Sequence, residues 1–209
     1  MIKILFLDVG GVMLTNGWDH LMRDKAYSLF KLDKNEIESK HKEFFPQHEE
    51  GRITLDEYLT QVIFFRQRDF SREEFRDFIF KQSLPLEGMR ELFREIKEKY
   101  KLKIAIVSNE GRDLALYRTT TFGIDLLADY FFYSSFIHVR KPDLRMYQIA
   151  LDVTLSEPQN TLYIDDRKHL VETAERIGIN SIIHKNRENT RQHMIEIIEK
   201  SLERQLKDL

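Results

Sequence analysis

Short apolar runs that each end in polar residues are the feature that most constrains how this chain can fold. The first run, Ile2 to Leu7, is almost continuously apolar and stops at an aspartate followed by Val-Gly-Gly. Similar short runs, rich in β-branched residues, occupy 103–109, 160–166 and 180–184, with a weaker candidate at 130–133. Continuous rather than alternating apolar character is typical of strands covered on both faces. The sequence therefore predicts a buried sheet.

Helical patterns separate these runs. Apolar residues recur at spacings of three and four over 89–100, 146–150 and 170–177, and a final amphipathic pattern covers 187–207. Strands that alternate with helices of this length form βαβ units, so we predict an α/β protein with a three-layer, Rossmann-like parallel sheet. Ligands of such sheets bind at the carboxyl ends of the strands.

One long segment breaks this alternation. Residues 16–84 contain no convincing strand and show three helix starts of the capping-box kind, at Asp33/Glu36, Thr54/Glu57 and Ser71/Glu74. Pro85 and Gly88 mark the return to the strand-helix pattern. We predict a core domain of residues 1–15 and 85–209 and an inserted helical subdomain of residues 16–84.

Composition excludes several classes of protein. The 209 residues include no cysteine, which excludes disulfides, thiolate zinc sites and a cysteine nucleophile, and favours a cytoplasmic location. The 33 Lys and Arg nearly balance the 35 Asp and Glu, so no global field attracts nucleic acid or an anionic membrane. No segment approaches the ~20 apolar residues of a membrane helix. We therefore expect any anion to be recognised locally.

Three carboxylates stand at predicted strand ends. Asp8 follows the first run, and Asp165 and Asp166 end the run at 160–166. If these two strands are neighbours, the acids share one cleft, and such crowding requires a cation. The chain has no cysteine and no histidine pair at these positions, and a set of carboxylate oxygens favours Mg²⁺ over zinc. The alternative is that these aspartates only cap turns or helix N-termini.

Two further polar groups stand where an anion could bind. Ser108 and Asn109 end the second strand and precede a glycine and a helical pattern, which offers a hydroxyl and amide N–H groups to an anionic oxygen. Lys141 precedes Pro142 and Asp143, where a helix can begin at an aspartate cap. A loop lysine alone is usually solvated, so its meaning depends on the other groups.

Taken in order, these four motifs resemble those of the haloacid dehalogenase superfamily. The motifs are Asp8-Val9-Gly10-Gly11-Val12, Ser108-Asn109, Lys141-Pro142-Asp143 and Tyr163-Ile164-Asp165-Asp166. The inserted helical segment matches the small cap that this superfamily places after its first motif, and residues 50–58 resemble a phrase common in such caps. The resemblance spans most of the chain and implies a hydrolase.

The resemblance also implies roles for the residues. Asp8 is expected to be the nucleophile, which forms an aspartyl-phosphate in the phosphatase branch. Asp8, the Gly10 carbonyl and Asp166 are expected to ligate Mg²⁺, with Asp165 acting through a bound water. Ser108 and Lys141 are expected to hold the phosphoryl oxygens, and Asn109 adds a further phosphate-binding group. The substrate is then a small phosphorylated metabolite.

Gly10 departs from the superfamily pattern. Phosphatases of this superfamily usually carry an aspartate there as general acid and base. General acid and base catalysis accelerates a reaction by ~10²–10⁴. Three interpretations remain open. The first is a Mg²⁺-dependent phosphatase that is slow or that replaces the acid with water, a substrate group or a cap residue such as Asn16. The second is a degenerate protein that binds Mg²⁺ and a phosphorylated ligand or partner without useful turnover, and the third is a dehalogenase or another enzyme of hydrolysis at carbon. In the superfamily the cap selects the substrate, and the candidates there are Trp18, Arg23, Phe44, Phe45, His48 and Arg52, of which we expect His48 to be a solvated loop residue.

Overall fold

A single parallel sheet forms the centre of the molecule. The computed structural model describes residues 1–207 of the chain. Its strands are β1 (Ile4–Leu7), β2 (Lys103–Ser108), β3 (Tyr130–Tyr133), β4 (Thr161–Asp165) and β5 (Asn180–Ile183). They are ordered β3–β2–β1–β4–β5, and β1 lies between β2 and β4. Leu7 is in register with Ile106 on one side and Ile164 on the other. The predicted parallel α/β fold is confirmed.

Helices cover both faces of this sheet. They are α5 (Met89–Tyr100), α6 (Arg112–Thr121), α7 (Ser134–Ile137), α8 (Leu144–Thr154), α9 (Lys168–Glu175) and α10 (Arg187–Lys207), with a short 3₁₀ turn at Pro158–Asn160. Leu5 and Leu7 pack into the layer formed by α5, α6 and α10, whereas Ile4 and Phe6 pack into the layer formed by α8 and α9. Burial on both faces explains why the β1 sequence is continuously apolar. None of the helices within residues 1–207 combines the length and apolarity needed to cross a bilayer.

Residues 16–84 hold four helices and no strand. They are α1 (His20–Leu29), α2 (Lys34–Glu49), α3 (Leu55–Val62) and α4 (Arg72–Lys81), which surround an apolar cluster of their own. Complete capping boxes begin α3 at Thr54 and α4 at Ser71, and the Asp33 side chain caps α2. This helical region is continuous in sequence, and the boundaries at 15/16 and 84/85 stay a prediction.

Candidate active site

Three carboxylates meet at the carboxyl edge of the sheet. Asp8 directly follows β1, Asp165 is the last residue of β4 and Asp166 follows it. Because β1 and β4 are neighbours, one carboxylate oxygen from each residue lies within 4.8 Å of the others. Asp8 is 6% exposed and Asp165 is fully buried. Like charges this close in a buried position require compensation by a cation.

Lys141 supplies part of that compensation. Its ammonium nitrogen lies 3.0 Å from Asp8 Oδ1 and 2.6 Å from Asp165 Oδ2. The side chain of Asn109 fixes the lysine's backbone: its Nδ2 donates to the Lys141 carbonyl at 2.9 Å, and its Oδ1 accepts from the Lys141 amide at 2.8 Å. Both polar atoms of the Asn109 side chain are thus engaged in positioning the Lys141 loop.

A tyrosine to which the sequence assigned no role of its own completes this network. The Tyr163 hydroxyl donates to Asp165 Oδ2 and accepts from the Lys141 ammonium at 2.9 Å. Tyr163 lies on β4 two residues before Asp165, so both side chains point to the same face of the strand. An apolar residue would satisfy the strand pattern equally well, so only the hydroxyl's partners reveal its part in the site.

The shared lysine separates the pKa values of the first two aspartates. Burial raises the pKa of Asp8 above its usual range, against the opposing effect of Lys141. Burial also acts on Asp165, yet Lys141 and the hydrogen bonds from Tyr163 and the Arg167 amide hold its pKa below the usual range. Burial disfavours the charged lysine, but Asp165 and Asp8 raise the pKa of Lys141. The lysine is therefore a fixed positive charge beside the cleft.

Asp166 is the carboxylate that lacks compensation. Within residues 1–207, its Oδ1 is buried without a hydrogen-bond partner, and the nearest cationic side-chain atom, Arg167 Nε, is 4.0 Å away. Burial, followed by Asp8 and Asp165, raises the pKa of Asp166 to about 6. A β-carbon on Gly11 would lie 2.2 Å from Asp166 Oδ2, so a glycine is needed for the carboxylate to approach this closely. An orphaned carboxylate oxygen in an all-oxygen cluster fits a hard divalent cation such as Mg²⁺.

The turn after β1 brings Ser108 and Gly10 to the same cleft. Ser108 is 1% exposed, and its hydroxyl accepts from the Val9 amide at 3.4 Å and contacts Asp8. A β-carbon on Gly10 would lie 2.7 Å from Asn16 Oδ1 and 3.7 Å from Arg118 Nη1. The space that a side chain at position 10 would enter is therefore occupied by an amide and a guanidinium.

Arg118 links the helical region to the sheet. It is 2% exposed, and it donates to Glu110 Oε1 at 2.5 Å, to Ser83 Oγ at 2.9 Å and to the Thr15 carbonyl at 3.0 Å. Thr15 and Ser83 lie at the two crossings between the helical region and the rest of the chain. Sequence reasoning missed Arg118 on α6 and Glu110 in the loop before it, because charged residues in helices and loops are ordinarily exposed.

A cavity of about 460 Å³ joins these groups to the helical region. Asp8, Ser108, Lys141 and Asp166 line one side of it. From the helical region it is lined by Asn16, Gly17, Trp18, Asp19, His20, Arg23, Phe45, His48, Glu49, Leu55, Ile79 and Phe80. A cleft of this size suits a small molecule. Of the substrate-contact candidates, Phe44 and Arg52 do not line it.

The expectation that His48 is a solvated loop residue is wrong. His48 lies in the last turn of α2 and is 6% exposed, because its ring stacks on Tyr58 and covers Gly111. Burial lowers its pKa, so the imidazole is neutral at neutral pH. Its neighbour Glu49 is also buried and lines the cavity. Unlike His48, Glu49 was not among the predicted candidates, although it directly precedes residues 50–58, which resemble a sequence pattern common in caps.

Known proteins resemble this chain in sequence and in fold. The family model described as haloacid dehalogenase-like hydrolase matches residues 24–184. A HAD family enzyme from Bacteroides thetaiotaomicron superposes with a TM-score of 0.77 at 19% identity, over 88% of this chain and 94% of its own. A predicted HAD-like family hydrolase from Porphyromonas gingivalis also gives 0.77 at 19% identity, over 95% and 98%.

Two of the similar solved structures hold different kinds of ligand. The Bacteroides enzyme in complex with magnesium and inorganic phosphate superposes with a TM-score of 0.72 at 20% identity, over 89% of this chain and 96% of its own. An L-2-haloacid dehalogenase from Xanthobacter autotrophicus with chloropropionic acid covalently bound gives 0.62 at 17% identity, over 87% and 76%. At these identities the likeness concerns the fold alone.

Proposed function

Because this chain belongs to the haloacid dehalogenase-like hydrolase family, we propose that it is a Mg²⁺-dependent phosphatase acting on a small phosphorylated metabolite. The observation that supports this most directly is the orphaned Asp166 Oδ1 inside a cluster of three carboxylates. Hydrolysis at a carbon centre needs no metal beside the nucleophile. A buried, uncompensated acid next to Asp8 is a stability cost that a divalent cation would offset.

The carboxylate cluster would hold the metal. Asp8, Asp166 and the Gly10 carbonyl would be its protein ligands, and Asp165 would act through a water because Lys141 and Tyr163 already engage its Oδ2. When bound, Mg²⁺ supplies positive charge that keeps the crowded acids ionised and polarises the phosphoryl oxygens. Because Gly10 would contribute only its backbone carbonyl to the metal, the absence of a side chain at position 10 is compatible with this metal site.

Asp8 is the nucleophile in this proposal. Its carboxylate oxygen attacks phosphorus, an Asp8 O–P bond forms, and the P–O bond to the leaving group breaks. Lys141 touches Asp8 and faces the cleft, so its fixed charge orients the nucleophile and attracts the phosphoryl oxygens. Ser108 ends β2, which flanks β1 on the side away from β4, and its hydroxyl would donate a hydrogen bond to the phosphoryl oxygens. Water then hydrolyses the aspartyl-phosphate and frees Asp8.

Gly10 favours dehalogenation as a second candidate. A halide leaves carbon as a stable anion and needs no proton, so the absence of an acid at position 10 is no handicap in that reaction. The fold likeness to the Xanthobacter dehalogenase is compatible with it. The phosphatase proposal is the stronger, because it also accounts for the uncompensated Asp166.

The test measures phosphate release from a panel of phosphate monoesters with Mg²⁺ and with chelator. We expect turnover in Mg²⁺ that is lost in chelator and in Asp8→Asn, and retained in Asp125→Asn, which changes an exposed aspartate. Chloride release from 2-haloacids in chelator would instead establish the dehalogenase. If no ester turns over while Mg²⁺ raises the melting temperature, the chain binds its ligands without catalysis.

A further inference from the structure

Hydrolysis of an alkyl phosphate requires a proton donor for the oxygen of the departing alcohol, and the side chain at position 10 offers none. Asn16 and Arg118 occupy the space beside Gly10, but an amide does not titrate and a guanidinium does not release its proton in proteins. If the chain is a phosphatase, as proposed above, the proton must come from another group that faces the cavity.

Few carboxyl groups face the cavity besides the metal cluster. Within the described residues they are Asp19, Glu49 and Glu110. Asp19 accepts a hydrogen bond from the Met22 amide as the cap of α1. Burial raises the pKa of Glu110, but Arg118 Nη1 lies 2.5 Å from its Oε1 and opposes that rise, so this carboxyl group is already held in an ion pair. These two acids already have fixed structural partners, whereas Glu49 is held less tightly.

Within residues 1–207, the Glu49 side chain makes one long ionic contact and no hydrogen bond. Its Oε2 lies 3.3 Å from Arg140 Nε, and its side chain is 10% exposed. The backbone around it is firmly placed: the Glu49 carbonyl accepts from Ser134 Oγ at 2.6 Å, and the next carbonyl accepts from His138 Nδ1 at 2.8 Å. A rigid backbone with a carboxyl group facing the cavity is the arrangement that proton transfer requires.

We propose that Glu49 is the general acid and base that substitutes for the aspartate missing at position 10. In the first step the neutral Glu49 carboxyl gives its proton to the leaving oxygen as the P–O bond breaks and the Asp8 O–P bond forms. In the second step the Glu49 carboxylate takes a proton from the attacking water. The water oxygen bonds to phosphorus, the Asp8 O–P bond breaks, and both carboxyl groups return to their starting states.

The electrostatic surroundings of Glu49 support this role. Burial raises its pKa to about 7, and Glu110 adds to that rise, whereas Arg140, Arg167 and Lys141 oppose it. These are the charged groups that face it from the loops after β2 and β4 and before α8. A carboxyl group in this range is available in both protonation states at neutral pH, which is what a group serving as acid and then as base needs.

The experiment compares leaving groups of graded acidity, from 4-nitrophenyl phosphate to alkyl phosphates, in the native chain and in Glu49→Gln. We expect kcat/KM to fall by ~10²–10⁴ for alkyl phosphates and far less for 4-nitrophenyl phosphate, whose leaving group needs no proton. With 4-nitrophenyl phosphate, Glu49→Gln should release about one nitrophenolate per enzyme and then slow, because the water step also loses its base.

Two controls separate chemistry from structure. Arg140→Gln breaks the same ion pair but keeps the carboxyl group, so its dependence on the leaving group should match that of the native chain. Glu50→Gln changes the adjacent carboxylate, which pairs with Arg52, and should have no effect.

The outcomes distinguish this inference from the proposed function. If the native chain hydrolyses the esters and Glu49→Gln shows the same dependence on the leaving group, Glu49 is not the acid and only this inference is overturned. Equal losses in Glu49→Gln and Arg140→Gln across the series also overturn it. If the native chain hydrolyses no ester, both proposals fail. Should Glu49→Gln not fold, Glu49→Asp keeps the charge, and its expected steeper dependence on the leaving group provides the same test.

Discussion

Two adjacent aspartates should respond in opposite directions to the same substitution. In the metal-free protein, Asp166→Asn should increase the free energy of unfolding, and Asp165→Asn should decrease it. Both changes replace a carboxylate with an amide of nearly the same shape. They differ because Asp165 has cationic and hydrogen-bonding partners, whereas one oxygen of Asp166 is buried without a hydrogen-bond partner in the described part of the chain.

The magnitude for Asp166 follows from its pKa. The folded pKa is about 6 against an ordinary value of 3.8, so between these values the folded chain binds the proton more tightly than the unfolded chain. Stability therefore falls as pH rises through this window, and the penalty is complete near pH 8. The difference corresponds to about 3 kcal/mol at most, so Asp166→Asn should stabilise the metal-free chain by roughly 1–3 kcal/mol.

The sign is reversed for Asp165. Its folded pKa is lowered, so the ionised carboxylate stabilises the fold at neutral pH, and this contribution is lost as pH falls below the ordinary value. An amide there would place its NH₂ or carbonyl against the Lys141 ammonium and the Tyr163 hydroxyl. Breaking a buried pair from one side costs about 3–5 kcal/mol, which is the expected loss for Asp165→Asn.

Urea denaturation in chelator and in Mg²⁺ measures both effects. For the native chain, Mg²⁺ at a hundredfold excess over its Kd should add about 2.7 kcal/mol. That increment should vanish in Asp166→Asn, since the substitution removes a proposed ligand. Destabilisation of the metal-free chain by Asp166→Asn, or changes of the same sign at both positions, would refute the reasoning about compensated and uncompensated charge.

Two further substitutions test contacts between the helical region and the sheet. Gly51→Ala should destabilise the chain by more than 1–2 kcal/mol, because Gly51 has a φ of +67° and its new β-carbon would lie 2.3 Å from the Ser135 carbonyl oxygen. Gly178→Ala, with a φ of +87° but no contact under 3.5 Å, should show only the backbone cost in urea denaturation. Arg118→Met should cost about 3–5 kcal/mol by the same measurement because it leaves Glu110 buried and unpaired, and a normal midpoint would contradict this.

The architecture of the sheet could be predicted because its signals are local. The central strands are covered on both faces, so their sequences are mostly apolar, and each strand ends where polar residues begin. The start of α3 could be predicted for the same reason, since Thr54 and Glu57 satisfy each other's backbone groups within one turn. The proximity of Asp8 to Asp165 and Asp166 needed one further assumption, that β1 and β4 are neighbours.

Other parts of the site depend on residues far apart in the chain. The sequence around Glu49 is polar and predicts an exposed helix end. In the structure, packing against Ser134 buries Glu49 beside the cavity. The partners of Arg118 lie up to 103 residues away, so no local pattern could identify it as the link between the helical region and the sheet.

The sequence by itself determined the parallel sheet, the order of the motifs and the missing acid at position 10, because apolar runs, caps and residue types are written in neighbouring positions. Only the tertiary structure decided which charges are compensated. Lys141 is shared by Asp8 and Asp165 but not by Asp166, and Glu49 faces the same cavity. Compensation depends on distances between side chains from different strands and loops, and on burial, and neither is encoded in local sequence.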